Sequence, residues 1–264
     1  MEKQSKSFYQ HYDVSEYPFI DKVQDMIASV ENTYSLYLTD FLDPRQEAIV
    51  KELTAQTPLT FYSSRDILTE EYHRVIIAPD YYRLNVDDFE ISLLSIQYAK
   101  KFNQLTHSQI MGTLINQLGI KRSVFGDILV NGSEAQLFLK QSMVAYFEAN
   151  VHKIAKVPVK LESIPFSQKI EWIEEGKEQV YLVSSLRVDK VLSAVYKLSR
   201  QASQKLIQSQ KVKVNHKMMT KMTDTVIPGD LLSVRGYGRC RIVDDAGITS
   251  KGKYKLVVKK IRQK

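Results

Sequence analysis

The chain has 264 residues, 44% of them hydrophobic, with 37 basic and 30 acidic side chains for a net charge of +7. That composition excludes a chain disordered throughout and fits a folded protein of one large or two to three small domains. A single cysteine, Cys240, excludes an intrachain disulfide, and the five scattered histidines (His11, His73, His107, His152, His216) show no metal-ligand spacing, so no cofactor or metal is expected.

Near the start, Val23, Met26, Ile27 and Val30 recur at helical spacing and predict a helix from about Val14 to Asn32. Before it, the polar segment MEKQSKSFYQHYD lacks the apolar core of a secretory signal, and no stretch of the chain approaches the roughly 18 to 20 apolar residues of a membrane span. The expected location is therefore the cytoplasm. Asp43 followed by Pro44 reads as an N-cap and first helical residue, with Ala48, Ile49 and Leu53 as the apolar stripe of a second helix that ends before Pro58. Leu59–Tyr62 and Arg74–Ala78 are strand-like, so residues 1–84 read as a small α+β unit whose tyrosines pack half-buried.

From Asp88 the pattern becomes regular. Phe89–Tyr98 is a strand, Thr106–Leu118 a helix stopped by Gly119, and Phe125–Val130 a strand followed by an Asn131-Gly132 hairpin turn. Glu134–Leu139 is the next strand, Met143–Ile154 a helix and Pro158–Ile164 extended. The order β-α-β-β-α-β predicts a ferredoxin-like middle domain over residues 85–165, the plan of many RNA-binding modules and of many unrelated proteins. Its third strand carries one aromatic, Phe138, and no glycine, which is a poor match to the base-stacking signature of RNA-binding sheets; a docking or spacer role is the alternative. Residues 166–180, rich in glutamate, read as a connector in which Trp172 packs one domain on the next.

The charge changes sign beyond this connector. Residues 181–264 hold 19 Lys and Arg against 5 Asp, a net +14, whereas the first 180 residues sum to −7. A basic unit on an acidic body points to a polyanionic partner, nucleic acid before a lipid surface. In the basic unit Val188, Val191, Leu192, Val195 and Leu198 share one helical face, while Arg187, Lys190, Ala194 and Lys197 share another. Ser199 offers an N-cap for a second helix over Arg200–Ser209, with Ala202, Leu206 and Ile207 inward. Arg200 stands in its first turn, where the macrodipole disfavours a cation, so it either serves a ligand or pairs with an acid such as Asp189. Lys211–Asn215 alternates as a strand, Pro228-Gly229-Asp230 is a turn, and Leu231–Val234 is a strand. Arg235, Tyr237, Arg239 and Arg241 would share one side if that strand continues; Gly236 and Gly238 would instead make a loop.

The blocks Leu186-Arg187-x-Asp189-x-Val191-Leu192, Ser199-Arg200-x-x-Ser203-x-x-Leu206-Ile207, Val212-x-Val214-Asn215 and Gly229-Asp230-x-Leu232 resemble the RNA-binding domain named after the fourth protein of the small ribosomal subunit, the S4 domain. The resemblance implies two helices on a small bent sheet that bind structured RNA with the helix pair and the following loop. Gln210 and His216 stand where that family usually has glycine, and a left-handed turn costs a non-Gly residue about 1 kcal/mol or more. In length and domain order the whole chain is similar to the YlmH family of bacteria. That likeness implies a non-enzymatic RNA-binding protein of the large ribosomal subunit, active in quality control of stalled peptidyl-tRNA, with an association with cell-division genes.

The expected fold is thus α+β and multi-domain: an N-terminal α+β unit over 1–84, the ferredoxin-like (βαββαβ) domain over 85–165, the connector over 166–180 and an S4-type domain over 181–264. The expected RNA contacts are Arg187, Lys190, Lys197, Arg200, Lys205, Lys211, Lys213, Asn215, His216, Lys217, Arg235 and Arg239. Expected partners are rRNA, tRNA and the large subunit, bound by a monomer. No GxGxxG or phosphate-loop motif is present, Asp87-Asp88 and Asp244-Asp245 read as solvated turn residues, and Lys217-Met218-Met219-Thr220-Lys221 lacks the preceding nucleotide fold that a tRNA synthetase loop needs. Two alternatives remain open: an RNA-modifying enzyme with an active site in the first 165 residues, and a cell-division scaffold.

Overall fold

A computed structural model describes residue 9 and residues 12–171 and 176–261, so Trp172 and its expected packing role lie outside the described residues. Two compact units divide the chain after residue 172. In the first, a short 3-10 turn over Val14–Glu16 leads into α1 (Tyr17–Thr33), which buries Ile20, Val23, Met26, Ile27 and Val30. Helix α2 (Pro44–Thr54) starts as its sequence dictates: the Asp43 carboxylate accepts the Arg45 and Gln46 amides, and Gln46 closes the capping box. Strands β1 (Tyr37–Leu38), β2 (Thr60–Ser63) and β3 (Val75–Ala78) form an antiparallel sheet with β3 central.

Glu47 ties this layer together. Its carboxylate accepts Ser63 Oγ at 2.6 Å and Arg65 Nη2 at 2.7 Å, and lies 3.3 Å from Nδ1 of the fully buried His73. Burial by itself would push the Glu47 carboxyl up, but hydrogen bonds from His73, Arg65 and Ser63 prevail and hold it at about 2.

The ferredoxin-like part follows as β4 (Ile91–Gln97), α3 (His107–Gly112, continued by a π turn over Thr113–Gln117), β5 (Phe125–Asn131), β6 (Glu134–Lys140), α4 (Val144–Asn150), a two-strand clip of β7 (Lys153–Ile154) and β8 (Val157–Pro158), and β9 (Lys160–Ile164). The sheet order β5-β6-β4-β9 is antiparallel throughout, the split arrangement expected of a β-α-β-β-α-β chain. Two local expectations are corrected. Asn131 pairs with Glu134, so the hairpin loop is Gly132-Ser133, with Gly132 at φ +59 taking the left-handed position. The helix expected over Met143–Ile154 ends at Asn150, because Lys153–Ile154 pairs with Val157–Pro158 instead.

Both faces of this sheet are covered. Ala135, Leu137 and Leu139 of β6 join the core beneath the helices, whereas Phe138, Leu93 and Leu129 on the other face pack against Phe41 and Leu68 of the N-terminal segment. Phe166 stacks on Phe138 with centroids 6.2 Å apart, and the Gln136 side chain bonds Gln168 O and Ile170 N, so residues 165–170 also lie across that face. Polar clamps add to the seam. Asp127 accepts the amides of Glu71 and Tyr72 at 2.9 and 2.8 Å, and burial pushes its carboxyl up to about 6 against those bonds. The buried Arg74 donates to Thr39 O, Phe89 O and Glu90 O, while Lys140 pairs with Asp40.

The second unit comprises β10 (Gly176–Val183), α5 (Val188–Tyr196), α6 (Arg200–Gln208), β11 (Val212–Val214), β12 (Lys217–Met218), β13 (Leu231–Val234), β14 (Gly238–Ile248) and β15 (Tyr254–Ile261). Its six-stranded sheet runs β10-β15-β14-β13-β11-β12. The connector reading is therefore corrected at its C-terminal end, since Gly176–Val183 is an edge strand paired along its length with β15. Of the two readings open after β13 the loop is the one formed: Val234 pairs with Gly238 across an Arg235-Gly236-Tyr237 loop, and Gly236 and Gly238 at φ +87 and +90 make the turn. Asp244 and Asp245 lie in β14 beside β-bulges rather than in a turn.

Candidate RNA interface

Helix α5 is built from the outside in. Val188, Val191, Leu192 and Val195 are fully buried against the sheet, together with Ile207, Val212, Leu232, Cys240 and Val258. Ser199 Oγ accepts the Ala202 amide at 3.1 Å and starts α6 as its sequence signals. The two helices meet at Ser193 and Ser203, whose hydroxyls are 2.8 Å apart; Ser203 is fully buried, whereas Ala202 and Leu206, expected inward, are half-buried. Small hydroxyl residues at this crossing let the helices approach while satisfying each other.

Of the twelve expected contact residues, Arg187 has another primary task. It is the N-cap of α5, and its Nε and Nη2 donate to Asp189 Oδ1 and Oδ2 at 3.0 and 3.1 Å; Asp189 is fully buried and Arg187 one-third exposed. The acid suspected of pairing with Arg200 is thus occupied by Arg187. Arg200 is exposed and has no ion-pair partner among the described residues, in the macrodipole position that disfavours it. Lys197 is not on the expected helical strip, because α5 ends at Tyr196 and Lys197 turns into a left-handed cap at φ +54. Lys190 is half-buried on α5, and Lys197, Lys205 and Lys211 are exposed.

After α6 the chain makes a Schellman turn. The Gln210 amide donates to Ile207 O at 2.9 Å and the Lys211 amide to Leu206 O at 3.0 Å, with Gln210 at φ +53. His216, where the S4 pattern also has glycine, sits at φ +66. The geometry of the family turn is kept by residues that are strained in it. Replacing the exposed Gln210 by glycine is expected to stabilise the chain by about 1 kcal/mol, read as a higher midpoint in urea unfolding. An unchanged or lower midpoint would count against left-handed strain there.

Asn215 is spent on structure: its Nδ2 donates to Asp230 Oδ1 at 2.7 Å and its Oδ1 accepts the Leu231 amide at 2.8 Å, while Asp230 Oδ2 accepts the Ile227 amide. This locks the β11–β12 loop to the Pro228–Asp230 turn. Lys217 is exposed beyond the loop, and Lys213, Ser233 and Arg239 are cross-strand neighbours in one row. Arg235 is exposed in the hairpin loop, and its amide donates to Lys211 O at 2.9 Å. The fold thus brings Lys211, Lys213, Arg235 and Arg239 to the sheet end next to α6. The sequence reading missed Asp189 as the anchor of Arg187, and missed Lys177 because a strand was read as connector; the β-rich run Val180–Val183 was the available signal.

Residues 186–232 match the S4 domain, and the helix pair with its exposed cations makes this an RNA-binding protein of the S4-domain class. Residues 85–168 match the model described as "Putative RNA-binding domain in YlmH", and residues 15–82 match "YlmH, N-terminal". The chain is 34% identical over 248 residues to a Bacillus subtilis (strain 168) protein named "Ribosome-associated protein quality control protein P2", covering 94% of this chain and 96% of that one. A solved structure named "Cell division protein ylmH from Streptococcus pneumoniae" is 44% identical with a TM-score of 0.55, over 62% of this chain and 99% of the other. The chain belongs to the YlmH family. Two of the three matched models are RNA-binding domains, and none of the three describes an enzyme. No helix among the described residues is long and apolar enough to cross a membrane.

Proposed function

We propose that the protein is a non-enzymatic adaptor that grips rRNA and tRNA on the large ribosomal subunit, in ribosome-associated quality control, through α5, α6 and the loop that follows. One observation carries the reading: Lys197, Arg200, Lys205 and Lys211 are exposed around the helix pair, and none has an ion-pair partner among the described residues. Cations left without carboxylates on a surface built by a rigid core are available for phosphate, which arginine grips through two parallel hydrogen bonds. The name of the B. subtilis relative supports the ribosomal setting. The acidic body, by repelling phosphate, keeps RNA on the basic unit.

The test is co-sedimentation of the full chain with large subunits carrying peptidyl-tRNA. Arg200→Ala with Lys205→Ala is expected to weaken association about tenfold per side chain, the loss of one charge-assisted contact each, without moving the melting temperature. Unchanged association would remove the helix pair from the interface. Dependence on the peptidyl-tRNA separates binding of both RNAs from binding of the subunit alone.

A further inference from the structure

The second unit holds a cleft of about 320 Å³ at the end of its sheet, where β10 and β14 begin and β15 ends. Lys177, Arg239 and Lys260 line it together with Tyr196, Tyr237 and Gln179, and among the described residues none of those lining it is acidic. Lys177 and Lys260 are directly opposed across the β10–β15 pair. Like charges facing each other across strands destabilise a sheet, and an anion at the mouth of the cleft would relieve that repulsion. The cleft is also aromatic. Tyr196 and Tyr237 meet edge to face with centroids 5.6 Å apart, and Lys260 Nζ lies 5.4 Å from the Tyr196 ring and 5.6 Å from that of Tyr181. Tyr196 is held from behind by its hydroxyl, which donates to Gly238 O at 3.4 Å, whereas the Tyr237 ring is about half exposed.

We propose that this cleft takes one unstacked nucleotide of an RNA strand, its base on the Tyr237 ring and its phosphate among Lys177, Arg239 and Lys260. A planar π surface beside cations is the arrangement that recognises a nucleotide irrespective of its base. The cleft adjoins the helix surface directly, since Tyr196 precedes the exposed Lys197 in the chain. Apart from Tyr196, its residues fall outside the S4 match at 186–232. An RNA held along α5 and α6 therefore delivers a single-stranded end to the cleft, and the inference rests on the RNA-binding reading above. The Gln179 Oε1 accepts the Tyr181 hydroxyl at 2.7 Å, which leaves its Nε2 amide to donate to a base edge.

Fluorescence anisotropy of the full chain on two probes tests it: a blunt RNA hairpin, and the same hairpin with a single-stranded adenosine tail of about four nucleotides. The tail is expected to raise affinity, Tyr237→Ala to cancel that gain by about fivefold or more, and Tyr237→Phe to keep it, with the blunt hairpin bound equally by all three. Lys177→Ala should reduce the same gain. A tail advantage that survives both Tyr237→Ala and Lys177→Ala overturns the cleft assignment while leaving the helix interface standing. Free AMP that perturbs the Tyr237 ring resonances while the tail gives no advantage assigns the cleft to a free nucleotide and overturns the strand reading. Failure of the wild-type chain to bind the blunt hairpin at all overturns the RNA reading on which both rest.

Discussion

Affinity for structured RNA is expected to fall about a thousandfold or more as monovalent salt rises from about 50 to 200 mM, the behaviour of a protein that neutralises roughly 6 to 10 phosphates. The second unit supplies that number from one region: Lys190, Lys197, Arg200, Lys205, Lys211, Lys213, Lys217 and Arg235 are all at least partly exposed. A plot of log affinity against log salt gives the number directly. Removing Arg200 and Lys205 together should lower its slope by close to two phosphates' worth, roughly 1.5 to 2 units. A flat dependence would show that ribosome association runs through the body of the protein and not through this surface. The experiment also discriminates among partners, since an apolar protein contact responds weakly to salt over the same range.

Truncating Arg187 has a large effect of a different kind. Arg187→Ala is expected to destabilise the second unit by about 3 kcal/mol, at the low end for breaking a buried ion pair because Arg187 is one-third exposed. The loss arises from Asp189, which stays fully buried with its charge uncompensated. Adding Asp189→Ala should recover part of it, since no charge is then stranded. Thermal unfolding followed by circular dichroism reads both variants. If Arg187→Ala leaves the melting temperature unchanged, the pair contributes nothing and Arg187 returns to the RNA-contact set. Loss of RNA binding in this variant, taken without a stability measurement, would be mistaken for loss of a phosphate contact.

The helices were legible because their signals are local. Apolar spacing from Val188 to Val195, the Ser199 cap and the Asp43-Pro44 start each depend on residues within one or two turns, and each forms as its sequence dictates. The four-block S4 pattern added what periodicity could not, the class of ligand. What failed depended on distant partners. Gly176–Val183 becomes a strand only because β15, some eighty residues later, pairs with it. Arg187 and Asp189 are two residues apart, yet nothing in that spacing says which of them is buried; the bent sheet beneath α5 decides it. Lys197 left the expected strip because a helix of nine residues stops where its packing stops, two residues before the apolar pattern at Leu198 would have ended it. The cleft was invisible for the same reason, as its residues come from four separate elements and the β13–β14 loop.

The covered sheet of the first unit also bears on how the chain is made. Phe41 and Leu68 complete their packing only with Leu93, Leu129 and Phe138, and Asp40 reaches a partner 100 residues downstream at Lys140. At synthesis rates of about 5 to 20 residues per second, the N-terminal segment waits about 5 to 20 seconds for the surface that seals it. During that interval Phe41 and Leu68 remain without their apolar partners, and closure of so long a loop is entropically demanding. A ribosome halted before β6 has emerged would hold an N-terminal layer unable to close, exposing apolar surface that the finished protein hides.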